Sequence, residues 1–242
     1  MSREWKKTKT IYWSDELNDD FDDIGLERPS IPKGYKYKRT NPINNFFSNI
    51  LYYVIATPLL GLFCRLKGIK IKGKKNLKQI KKTGAFVYSN HVSFLDVFKI
   101  ATPVFFGRRV NIIGYSDASS LFFVRHVVRA LGYLPLPLDG DVANMMALTQ
   151  AVKYYIKEKK QIVLIYPEAH IWPCYTKIRN FKDTSFGYPA MLNAPVVPIT
   201  TTWRKSRIGK GAKQTLHIGT IIYPRPEFSV EENRVYMHDE CL

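Results

Sequence analysis

A histidine and an aspartate stand five residues apart in Ser89-Asn90-His91-Val92-Ser93-Phe94-Leu95-Asp96, directly after the apolar run Ala85-Phe86-Val87-Tyr88. An imidazole takes a proton from a hydroxyl best when a carboxylate at its other ring nitrogen fixes the tautomer and stabilises the imidazolium. Residues five apart on one helix point about 140° away from each other, so these two cannot share a helical face. They meet only if His91 sits in a loop and Asp96 in the first turn of the helix that follows. Ser93 and Asp96 also have the Ser-x-x-Asp spacing of a capping box, in which Asp96 does no more than satisfy amides at a helix start. Both readings stay open on the sequence.

A second candidate is Ile162-Val163-Leu164-Ile165-Tyr166-Pro167-Glu168-Ala169-His170, where an apolar strand ends at a proline and delivers Glu168, then His170. A carboxylate at such a strand end can bind hydroxyls of a ligand or position the loop. A third stretch, Asn193-Ala194-Pro195-Val196-Val197-Pro198-Ile199, brackets a short strand with prolines and says only that it is entered rigidly. His91, Asp96 and His170 form a zinc-capable set, which would make a metal hydrolase, but no HExxH or comparable paired spacing accompanies them. We therefore expect no metal.

The elements that must position these residues read as α/β. Apolar runs predict strands over 69–71, 85–88, 110–115, 132–138, 162–166, 196–200 and 215–222, and helical patterns fall at 76–81, 94–100, 119–130, 142–158 and 184–192. Alternation of this kind implies a mainly parallel central sheet flanked by helices, with functional residues in loops after strand ends. Ahead of it, Phe46 to Cys64 reads FFSNILYYVIATPLLGLFC, with Lys36, Lys38 and Arg39 before and Arg65, Lys67 and Lys70 after. The length approaches a bilayer span, yet Ser48, Asn49, Thr57, Pro58 and Gly61 interrupt it. A helix or helix pair lying in a membrane interface fits better, a buried core helix being the alternative. The expected organisation is a polar N-terminal extension over 1–40, an apolar membrane-associated helical segment over 41–68, and an α/β domain over 69–242.

The extension mixes Trp5, Tyr12 and Trp13 with charges and reads as a linker. Within 1–28 there are eight acidic and five basic residues, with a cluster at Asp15, Glu16, Asp19, Asp20, Asp22 and Asp23. Taking that net of −3 from the chain's +17 leaves +20 on residues 29–242. Such a body attracts phospholipid headgroups, nucleic acid or phosphorylated small molecules. No RNP-like, KH-like, zinc or helix-turn-helix pattern supports a nucleic-acid-binding protein, so no nucleic acid partner is expected. Cys64, Cys174 and Cys241 are too few and scattered for a disulfide framework, which fits a reduced, cytosolic setting, and no signal peptide is evident.

Taken in order, the blocks resemble those of the glycerolipid acyltransferases typified by 1-acylglycerol-3-phosphate acyltransferase. Asn90, His91 and Asp96 match the family's N-H-x-x-x-x-D block, Tyr166 to Glu168 resembles F-P-E-G, and 194–199 resembles V-P-I or V-P-V. The resemblance implies attack by an acceptor hydroxyl on an acyl thioester of coenzyme A or acyl carrier protein as co-substrate, without cofactor. His91 would be the base and Asp96 its orienter, with Asn90, Ser93, Glu168 and His170 on the substrates. The implied acceptor is a lysophospholipid, foremost 1-acyl-sn-glycerol-3-phosphate, and the implied place is the cytoplasmic face of an anionic membrane, peripheral or monotopic. Two departures bear on the acceptor. Where the family's third block continues through Gly to a phosphate-binding Arg, this chain has Ala169-His170-Ile171, leaving Arg179 or Lys182 to supply the charge. Where its second block ends in a cation, this chain has Leu138 or Asp139. These favour, as the alternative, a different lysolipid, an amino-acid lipid or a glycolipid.

Overall fold

The computed structural model describes residues 12–21, 28–93, 96–116, 122–138, 140–173, 175–205 and 212–242. Of the residues named above, Trp5, Asp22, Asp23, Phe94, Leu95, Asp139 and Cys174 lie outside the described residues, as does the start of the 119–130 helical pattern. Seven strands form one sheet: β1 (Lys70–Lys72), β2 (Ala85–Ser89), β3 (Val110–Tyr115), β4 (Tyr133–Leu136), β5 (Ile162–Ile165), β6 (Val196–Lys205) and β7 (Ala212–Ile218). Their order is β1-β7-β6-β2-β5-β3-β4. All neighbours are parallel except β6 and β7, which run antiparallel from Ile199↔Ile218 to Lys205↔Ala212. The short stretch between those two strands cannot hold the crossover that a parallel pair requires.

β2 and β5 are buried on both faces, as expected of central parallel strands. Alternate side chains feed two cores. Phe86, Tyr88, Val163 and Ile165 pack with Leu148, Val152 and Ile156 of the helical segments Val142–Lys153 and Tyr154–Glu158. On the other face Ala85, Val87, Ile162 and Leu164 pack with Ile80, Ile100 and Phe105. Each valine, leucine, isoleucine and phenylalanine among them contributes about 1.5–3 kcal/mol on leaving water. A helix that the sequence reading did not predict, Val230–Asp239, closes the first face through Met237. Its Ser229 and Glu232 form a capping box.

The apolar run forms a continuous helix, Pro42–Leu66, long and apolar enough to cross a membrane. It starts at Pro42, capped by Asn41, whose side chain accepts the Asn44 N–H. Its middle, Ile50–Ala56, is wound as π-helix, and there Tyr52 inserts against the start of β3, its hydroxyl accepting the Val110 N–H at 3.0 Å. Arg109 stacks on Tyr52 and donates to Asn49 and Ser48. One side is thus keyed to the domain while Phe46, Phe47, Val54, Leu59, Leu62 and Leu66 stay exposed. The core-helix alternative does not describe this element, since only 17% of its most apolar window is buried.

The segment read as a linker is laid onto the body in its described parts. Ile31 and Tyr37 enter the first core. Tyr37 donates to the Pro135 carbonyl at 3.1 Å. Apolar residues spaced irregularly among charges show no periodicity, which is why the sequence hid this packing.

Candidate active site

β2 passes its neighbours β6 and β5 and ends where His91 begins a loop. Asn90 is buried and bonded both ways to the backbone of Thr201 on β6: its Nδ2 donates to the carbonyl at 3.1 Å, and its Oδ1 accepts the N–H at 2.8 Å. It pins the strand exit. The chain beyond is held on two sides. The His91 N–H donates to Glu168 Oε2 at 3.2 Å, and its carbonyl accepts from the Trp172 N–H at 3.2 Å. The imidazole lies flat on the Tyr166 ring, centroids 4.0 Å apart, and keeps 14% of its side chain exposed.

Asp96 opens the helix Asp96–Ala101 and is fully buried. Its Oδ2 accepts the N–H groups of Val92 (2.8 Å) and Ser93 (2.7 Å) and stands 3.5 Å from His91 Nδ1. Capping and orienting are therefore done by one oxygen. Ser93 enters through its backbone N–H. The other oxygen, Oδ1, accepts from Lys99 Nζ at 2.9 Å. Burial would push this carboxyl up, but the His91 contact and the Lys99 ammonium outweigh it and hold Asp96 below the usual range. An ionised carboxylate at Nδ1 favours the tautomer with its proton there, leaving Nε2 as the base.

Glu168 ends the other arm. Beyond accepting from His91, its Oε2 takes N–H bonds from Arg179 Nε (3.2 Å) and Nη2 (3.1 Å), and its Oε1 takes the Arg179 backbone N–H (3.3 Å). Burial raises its pKa, with Arg179 only partly offsetting the effect. Arg179 corrects an expectation: it is 0% exposed, lies over the Trp172 ring at 4.5 Å, and donates to the carbonyls of Glu168, His170 and Glu16. A guanidinium in the interior must be paired, and this one is consumed by the loop. Lys182, by contrast, is exposed at the entry to the 3₁₀ turn Asp183–Phe186. Ala169 takes φ 62°, the left-handed region that glycine adopts at no cost.

His170 is turned to Asp20, Nδ1 to Oδ2 3.2 Å, so His91, Asp96 and His170 are not gathered into one ligand set. Among the described residues no group of three His, Cys, Asp or Glu is placed to hold a metal ion. Asp20 belongs to a feature that sequence reasoning missed. Residues 12–21 lie along the loop after β5, with Trp13 and Phe21 against Trp172, whose indole N–H donates to the Asp19 carbonyl at 2.6 Å. Glu16 accepts from Asn180. The acidic cluster beside Trp13 was the visible signal, but its partner lay some 150 residues away. Lys99 and Tyr166 were also missed. A shallow depression lined by Ser89, Asn90, Glu168, Phe181 and Ile199 adjoins the loop. A larger surface groove, lined by Leu138, Val142, Met145 and Met146, shares none of these residues.

A family model described as Acyltransferase matches residues 68–202, which include β2, the His91 loop, β5 and most of β6. Comparison with curated proteins finds no significant match. Among solved structures, the 1-acyl-sn-glycerophosphate acyltransferase PlsC from Thermotoga maritima has a similar fold, with a TM-score of 0.57 and 18% identity. The likeness covers 82% of this chain and 84% of that one.

Proposed function

Because the chain belongs to the acyltransferase family, we propose that it moves a fatty acyl group from a coenzyme A or acyl carrier protein thioester to the hydroxyl of a lysophospholipid, foremost 1-acyl-sn-glycerol-3-phosphate. The observation that carries this reading is the Asp96 carboxylate standing 3.5 Å behind His91 Nδ1, with the imidazole partly open to solvent. Nε2 takes the proton as the acceptor oxygen attacks the thioester carbonyl. The tetrahedral intermediate collapses by breaking the C–S bond, and the thiolate leaves with the proton that the imidazolium returns. Base catalysis of this kind is worth about 10²–10⁴ in rate, positioning supplying much of the rest. The reaction sits at the cytoplasmic face of an anionic bilayer in this reading. Helix Pro42–Leu66 offers its exposed apolar side, and the exposed cations from Arg65 through Lys82 meet the headgroups.

A second reading, a different lysolipid, an amino-acid lipid or a glycolipid as acceptor, is favoured by one observation. Arg179 is sealed, and the acidic residues Glu16 and Asp20 lie against the loop where a phosphate would be expected. The test is turnover of acyl-coenzyme A on liposomes carrying a panel of lysolipids, with the wild type and His91→Ala. Wild-type turnover that His91→Ala abolishes supports acyl transfer by His91, and the preferred lysolipid identifies the acceptor. Near-normal turnover by a folded His91→Ala protein would remove the assignment.

A further inference from the structure

Lys99 sits one turn along the helix from Asp96, 4% exposed, its ammonium 2.9 Å from Oδ1 and 5.5 Å from the centroid of the Trp203 ring. Burying an ammonium is costly unless it is paired, and here its partner is the carboxylate behind His91. The loop amides of Val92 and Ser93 already hold Asp96 through the other oxygen. What Lys99 changes is charge. Among the described residues, His91 touches Asp96, which is paired with Lys99 on the following helix, Glu168, which is paired with Arg179 on the loop after β5, and the neutral ring of Tyr166. These make two ion pairs of zero net charge. Without Lys99 the imidazole would stand beside a net charge of −1, which favours the imidazolium and leaves less of the neutral base at low pH.

We propose that Lys99 is a positioning residue of the acyl-transfer site, balancing Asp96 so that the carboxylate orients the His91 ring without locking it as imidazolium. The proposal rests on the acyl-transfer reading of His91.

The test is the pH dependence of kcat/KM for the wild type, Lys99→Met, Lys99→Gln and Lys99→Arg, with thermal melts to establish folding. In the uncharged variants the acid limb should move up by about one pH unit, roughly a tenfold loss below the limb that vanishes well above it. Lys99→Arg should keep the limb in place even if its maximal rate falls. A purely structural lysine would lower the rate by one factor at every pH, and that result overturns the proposal. If neither uncharged variant is active enough to assay, NMR titration of His91 in Lys99→Gln decides: a raised imidazole pKa supports the proposal and an unchanged one sinks it. Loss of activity in His91→Ala with an unmoved limb in Lys99→Gln defeats this proposal alone. Full activity in His91→Ala defeats the underlying reading.

Discussion

Arg179 reaches across its loop to Glu168, with two guanidinium nitrogens at 3.2 and 3.1 Å from the oxygen that also receives the His91 N–H. A single carboxylate thereby ties the loop after β5 to the loop after β2. The pair acts on the base through the backbone, and its burial separates it from the exposed Lys182 only three residues away.

Arg179→Ala should consequently behave as a stability mutation. Leaving Glu168 buried without its cation is expected to cost about 3–5 kcal/mol. Lys182→Ala should stay within about 0.5 kcal/mol of wild type and raise the KM of a phosphate-bearing acceptor. Denaturant melts and acceptor titrations separate the two, and equal stabilities for both variants would contradict the buried-pair account.

Asp96→Asn should lower kcat by about 10²–10⁴ by weakening the orientation of His91. It should also carry a pH signature in stability. The folded state holds Asp96 below its ordinary value of 3.8, so its contribution is complete above that value and is lost as pH falls through the folded one. The stability gap between wild type and Asp96→Asn should be wide at neutral pH and close in acid. A gap that is constant from pH 7 to pH 3 would speak against an ionised, paired Asp96.

Ala169→Gly should stabilise the protein by about 1 kcal/mol, because a side chain at φ 62° crowds the following carbonyl while glycine does not. Glycine's greater freedom in the unfolded chain takes back part of that gain. Thermal melts measure the difference, and a lower melting temperature would mean that the turn is unstrained.

What the sequence determined by itself was local. Seven strands were expected and seven are found; β2, β3 and β5 are apolar runs and were the most legible, while β6 runs on through polar residues to Lys205 and β7 begins at Ala212, ahead of its apolar part. The His91 loop leading into a helix at Asp96 was legible as the one arrangement in which the two side chains can meet, and only the folded chain shows that they do. The helix Val230–Asp239 has a readable Ser229 and Glu232 cap but a weak apolar pattern, so the sequence does not single it out. Strand order, with β5 inserted between β2 and β3, followed from no local signal.

The tertiary structure alone decided which charges were free. Arg179 and Lys182 look equivalent in sequence, yet one is walled in by Glu168, Trp172 and the Glu16 carbonyl from 163 residues away. Residues 12–21 look like a solvated acidic tail until Trp172 and His170 are brought beneath them. Solvation of a charge depends on everything packed around it, and most of that packing arrives from distant parts of the chain, so burial and pairing emerged only once the chain was folded.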